Sequence, residues 1–107
     1  MQTLSPEYIR ERLKTCIDPE LGINIVDLGL IYDIQIRSQE GKKQVYIRMT
    51  LTTPGCPLAG VFHQMVRDAL YGTEGLNPEK DVEIDLTFDP PWVTDMMSEE
   101  AKAELGL

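Results

Sequence analysis

Val45-Tyr46-Ile47-Arg48-Met49-Thr50-Leu51-Thr52-Thr53-Pro54-Gly55-Cys56-Pro57-Leu58 reads as a strand that turns into a helix. Val45, Ile47, Met49 and Leu51 alternate with Tyr46, Arg48, Thr50 and Thr52, the period of a strand covered on one face. From Leu58 the period lengthens. Leu58, Val61, Phe62, Met65, Val66, Ala69 and Leu70 share one helical face, and Gly72 and Gly75 punctuate its end. Pro57 suits the first helical position. Cys56 then stands at or beside the N-cap, where backbone N–H groups lack carbonyl partners and favour thiolate. A thiolate attacks electrophiles and binds soft metals.

Two more strands flank this unit. Leu30, Tyr32, Ile34 and Ile36 alternate with Ile31, Asp33, Gln35 and Arg37, and a hairpin over Ser38–Lys42 joins this strand to the next. Val82, Ile84, Leu86 and Phe88 alternate with Glu83, Asp85 and Thr87. A helix separates this last strand from Val45–Thr52, so the two are expected to lie parallel. At the start, Ser5-Pro6-Glu7 is a helix-entry signature, and Ile9, Leu13, Cys16 and Ile17 form one face until Asp18-Pro19. Asp18 to Gly29 is an apolar loop that packs down. Ser98 caps a last helix, Glu99–Leu105, stopped by Gly106. The predicted fold is α+β: a two-layer α-β-β-α-β-α arrangement with a three-stranded mixed sheet and helices on one face.

The chain has 107 residues, which suits one domain over 1–107. Its net charge of -8 leaves no basic stripe for nucleic acid, and an anionic membrane would repel it. No apolar run is long enough to span a bilayer, and no signal peptide is visible. Two cysteines make no disulfide scaffold, so a cytoplasmic chain with reduced thiols is expected.

Each chemically interesting residue also has a plain reading. Cys56 is either a reactive thiol or a small hydrophobe beneath a helix start. Thr52 and Thr53 carry hydroxyls able to donate to a sulfur or an oxyanion. Cys16 reads as core. Asp18 and Glu20 sit at a helix exit, where the macrodipole disfavours acids unless a metal, lysine or amide compensates; alternatively Asp18 caps a turn and Glu20 is solvated. His63, the only histidine, reads as solvated. Pro90-Pro91-Trp92-Val93 with Met96-Met97 reads as a lid over the core, or else as a docking surface.

Three stretches together resemble the SufT/PaaD-like family of metal–sulfur, that is iron–sulfur, cluster biosynthesis factors. They are Ile17–Gly22 with Val26–Tyr32, Thr50–Leu58, and Phe88-Asp89-Pro90-Pro91-Trp92. The resemblance runs from about Ser5 to Leu107. It implies a fold related to iron–sulfur cluster assembly domains, in its minimal single-domain form, without the cysteine-rich extension of phenylacetate-pathway members. It implies that Cys56 is functionally important, flanked by Thr52, Thr53, Asp18 and Glu20.

The expected function is an accessory factor for iron–sulfur cluster assembly or transfer. Cys56 is the candidate ligand for transient iron or a cluster, with Asp18 and Glu20 as oxygen ligands and no stable cofactor in the isolated chain. Expected partners are iron–sulfur carriers or scaffolds and apo-clients, with a homodimer left open. No turnover of a small molecule is expected. Two alternatives stand: a non-catalytic adaptor between carrier and client, and a thiol redox sensor pairing Cys56 with Cys16.

Overall fold

β1 (Ile31–Gln39) and β2 (Lys42–Met49) form an antiparallel hairpin in the computed structural model, which describes residues 4–19, 21–52, 59–73 and 75–107. Gln39 pairs with Lys42, so the turn is Glu40-Gly41 alone. Both have positive φ, 53° and 78°, the combination a type I′ hairpin requires. β3 (Val82–Leu86) lies on the other side of β2 and parallel to it, giving the order β1-β2-β3. The mixed sheet and its parallel pair are those read from the sequence.

One face of the sheet is apolar. Val45, Ile47 and Met49 of β2 are buried, as are Ile34 of β1 and Val82 of β3. Against them pack α1 (Pro6–Leu13) through Ile9 and Leu13, and α2 (Ala59–Ala69) through Phe62 and Val66. The Asp18–Gly29 loop closes the same core with Ile23, Ile25 and Leu28. The other face is polar. The Tyr46 hydroxyl donates to Asp85 at 2.6 Å, and the Arg37 guanidinium lies over the Tyr46 ring.

Strict alternation placed Ile31 on this polar face, and the structure corrects that. Ile31 is opposite Met49 while Asp33 is opposite Arg48, so Tyr32 is an extra residue on β1. This bulge reverses the facing of whatever precedes it. Ile31 is therefore in the core at 8% exposure.

α1 begins as expected: the Ser5 hydroxyl oxygen accepts from the Tyr8 N–H, and Pro6 opens the helix. It ends at Leu13 rather than at Ile17. The N–H groups of Lys14, Thr15 and Cys16 bond three residues back, a tightened terminal turn. Cys16 stays buried, but Ile17 swings out to 46% exposure and bridges to Asn24. Arg12 then fixes α1 against the end of α2. Its guanidinium donates to the Ala69 and Tyr71 carbonyls at 2.8 and 2.9 Å, where helix-end oxygens lack partners.

Two further helices follow. α3 (Pro78–Asp81) was not expected, although Asn77-Pro78-Glu79 repeats the entry signature of α1. α4 (Glu99–Leu105) has the expected bounds, with Ser98 accepting from the Ala101 N–H and Gly106 left-handed at φ 75°. A single 3₁₀ turn, Thr94–Met96, precedes it. The tail is mainly a lid: Met97 and Ala101 are buried, and Trp92 packs on the core, while Val93 is exposed. No helix among the described residues is long and apolar enough to cross a membrane.

Candidate functional site

β2 leaves the sheet through Thr50, Leu51 and Thr52. Thr50 is fully buried, and its N–H donates to the Leu30 carbonyl at 2.8 Å. On the opposite side, the Thr87 N–H donates to the Met49 carbonyl at 2.9 Å. The exit of β2 is thus held between the entry of β1 and the exit of β3. Because β1 runs antiparallel, its start and the carboxyl ends of β2 and β3 share one end of the sheet. Carboxyl ends of parallel strands are where open sheets hold ligands.

The Asp27–Tyr32 and Phe88–Trp92 stretches are tied together at this same end. The Trp92 indole Nε1 donates to the Leu28 carbonyl at 2.6 Å, and the Tyr32 hydroxyl donates to the Pro90 carbonyl at 2.6 Å. The Ser98 N–H donates to the Asp27 carbonyl. Gly29, at φ 82°, lies so close to Met96 that an added Cβ would overlap its carbonyl oxygen.

The loop bearing Asp18 adjoins them. Asp18 is buried, and its Oδ1 accepts from the Leu21 N–H at 3.1 Å. Its own N–H donates to the Ile23 carbonyl and its carbonyl accepts from Gly22. The side chain therefore closes a turn, as an Asx residue does. The Cys16 thiol, nearby in sequence, donates to the Met65 carbonyl at 3.3 Å. Burial pushes this thiol up to about 11, so it is a core hydrophobe with a weak donor.

A family model takes in most of the chain, including the first two of the three stretches. The model described as iron–sulfur cluster assembly protein matches residues 6–85.

The chain belongs to that family.

The chain is 45% identical over 100 residues to an "Fe-S protein maturation auxiliary factor" from Porphyromonas gingivalis, covering 94% of this chain and 90% of that one. It is 41% identical over 107 residues to the Bacillus subtilis factor of the same description, covering 100% and 99%. A shorter match, 36% over 73 residues, is to an "Iron-sulfur cluster carrier protein" from Deinococcus radiodurans. It takes in 68% of this chain but only 19% of the carrier. Among solved structures, a conserved hypothetical protein from Thermotoga maritima superimposes with a TM-score of 0.78 at 42% identity, covering 100% of this chain and 99% of that one.

Of the expected site residues, Asp18 and Thr52 are placed by the structure. Thr52 is half-buried at a bend two residues beyond the Leu30 contact of Thr50. Cys56, Thr53 and Glu20 lie outside the described residues, as does Leu58. Among the described residues, no group of three or more His, Cys, Asp or Glu side chains is arranged to hold a metal ion.

His63 differs from expectation. It is half-buried, and its Nε2 is shielded with no hydrogen-bond partner among the described residues. One turn further along α2, Arg67 donates to the Pro78 and Val82 carbonyls. That side of α2 faces α3 and the start of β3. The sequence reading also missed the roles of Tyr32 and Gly29; the positive φ of Gly29 had no signal beyond the glycine itself.

Proposed function

We propose that this chain is an accessory factor that assists iron–sulfur cluster assembly or delivery to apo-proteins, with the Cys56 thiolate as the group that meets iron. The cluster or iron is cargo. In this reading the thiolate replaces a ligand on the cargo's iron, holds it briefly, and is itself replaced by a ligand of the recipient. Thr52 and Thr53 donate hydrogen bonds to sulfur. Asp18 and Glu20 supply hard oxygen or tune the thiol. A cytoplasmic setting with reduced thiols and a single domain over 1–107 go with this reading.

The supporting observation is the meeting of three separated stretches at one end of the sheet. Residues 27–32 and 88–92 frame the exit of β2, the strand that precedes Cys56 in the sequence. Substitution of Cys56→Ser in cells tests the proposal. Client iron–sulfur enzymes are expected to lose most of their activity at unchanged protein level. Preserved client maturation would discard the thiol as the working group.

The adaptor reading has its own support. The relative from Deinococcus carries a domain like this one within a much longer chain described as a cluster carrier. In this reading the domain serves by binding a cluster carrier, and a maturation-competent Cys56→Ser variant is its signature. The redox reading is weakened by Cys16. A resolving thiol needs access and a low pKa, and Cys16 is buried with its pKa pushed up to about 11.

A further inference from the structure

Two of the three family stretches contain residues that the thiol chemistry does not use. Ile31 and Tyr32 come from one, Asp89 and Pro90 from the other, and all four line an open cleft of about 500 Å3. That volume is in the range of ligand sites. Its apolar lining comes from Ile31, Pro90 and Met96, and its charged lining from Asp33, Arg48 and Asp89.

The charges do not balance within the cleft. Arg48 is answered from the polar sheet face, where its Nε lies 3.7 Å from Asp85. Asp33 accepts from the neutral Gln35 amide at 2.8 Å and stands opposite Arg48 in the strand register, so it shares that guanidinium with Asp85. Asp89 is exposed, and its carboxylate forms no ion pair among the described residues. Asp33 and Asp89 thus outnumber the cleft's one guanidinium, Arg48, which also serves Asp85, in a chain of net charge -8. The fitting occupant is positively charged beside an apolar group.

We propose that this cleft docks an extended segment of a partner polypeptide in which an apolar side chain is flanked by Lys or Arg. The proposal rests on reading the chain as a factor that acts on other proteins. It names the face they use, next to the exit of β2, and the chemistry they present.

Titration of the full, isotope-labelled chain with two synthetic peptides, Gly-Lys-Leu-Arg-Gly and Gly-Glu-Leu-Glu-Gly, tests it by amide chemical shift. The basic peptide is expected to shift Gly29, Tyr32, Asp33 and Met96 and leave α1 and α4 unmoved. The double variant Asp33→Asn, Asp89→Asn keeps side-chain shape and is expected to weaken binding about tenfold. Should that variant fold poorly, added salt on the native chain replaces it, with a similar weakening expected. No shift at those amides overturns the proposal, and so does equal binding of the acidic peptide. Shifts of the same amides with protein concentration alone would assign the cleft to a second copy and also overturn it. The readout contains no iron. A basic peptide that binds while Cys56→Ser supports maturation leaves docking intact and removes the thiol reading; the reverse pair of results removes docking alone.

Discussion

The indole N–H of Trp92 reaches the carbonyl of Leu28 at 2.6 Å, joining residues 64 apart in sequence. The Tyr32 hydroxyl makes a second such link, to the Pro90 carbonyl. These two bonds strap the segment after β3 across the loop that enters β1. A loop otherwise anchored by its apolar residues is thereby held in one position relative to the end of the sheet.

Trp92→Phe keeps most of the packing and deletes the donor. The Leu28 carbonyl is then left half-buried without it, a loss of about 1–2 kcal/mol. The urea midpoint of unfolding should fall while the denaturant slope stays constant. An unchanged midpoint would show that water replaces the indole at no cost.

Gly29→Ala should be far more damaging than Gly22→Ala. Both glycines have positive φ, 82° and 71°. An alanine at 22 meets nothing within 4 Å, so its cost is that of the left-handed backbone, about 1–2 kcal/mol. At 29 the new methyl also meets the backbone carbon of Met96 at 2.7 Å and its Cβ at 2.9 Å. Displacing the tail raises the cost to about 3 kcal/mol or more. Thermal unfolding of the two variants side by side reads the difference.

Asp18→Asn separates turn closure from charge. Asparagine keeps an oxygen for the Leu21 N–H, so stability should change by less than about 1 kcal/mol. Asp18→Ala removes the acceptor and should cost about 1–3 kcal/mol. If the carboxylate serves the cargo, client maturation falls in both variants. Full maturation with Asn would confine Asp18 to the turn.

Cys16 makes a pH prediction. Its folded pKa of about 11 lies above the ordinary thiol value of 9.0. The folded state therefore holds the thiol proton after the unfolded chain has lost it. This contribution is complete below about pH 9 and is lost as pH rises from about 9 to 11, by up to about 1.4 kcal/mol per pH unit. Cys16→Ala should flatten stability over that window, although it lowers stability elsewhere through lost packing. In a Cys56→Ser background, the remaining thiol should react with a disulfide reagent only on unfolding.

Local chemistry was readable wherever neighbouring residues decide the outcome. α4 has the bounds read from Ser98 and Gly106, because a capping hydroxyl and a left-handed glycine act within one turn. The Glu40-Gly41 turn is equally local. α3 escaped because four residues are too few to display a helical period, although Asn77-Pro78 announces its start. The end of α1 and the facing of Ile31 escaped for another reason. A tightened turn at Cys16 and a bulge at Tyr32 are imposed by the pairing of Ile17 with Asn24 and of β1 with β2.

By itself, the sequence determined the entries of α1 and α4, the strand periods, the parallel placement of β3 and the family, since each depends on residue types at short spacing. It also singled out two stretches, 26–32 and 88–92, that meet at one end of the sheet. Only the tertiary structure decided that residues 27–32 and 88–92 frame the exit of β2, that Asp18 closes a turn, and that Cys16 is sealed in the core. Those outcomes come from hydrogen bonds and packing between residues tens of positions apart, which no local pattern of hydrophobicity or charge encodes.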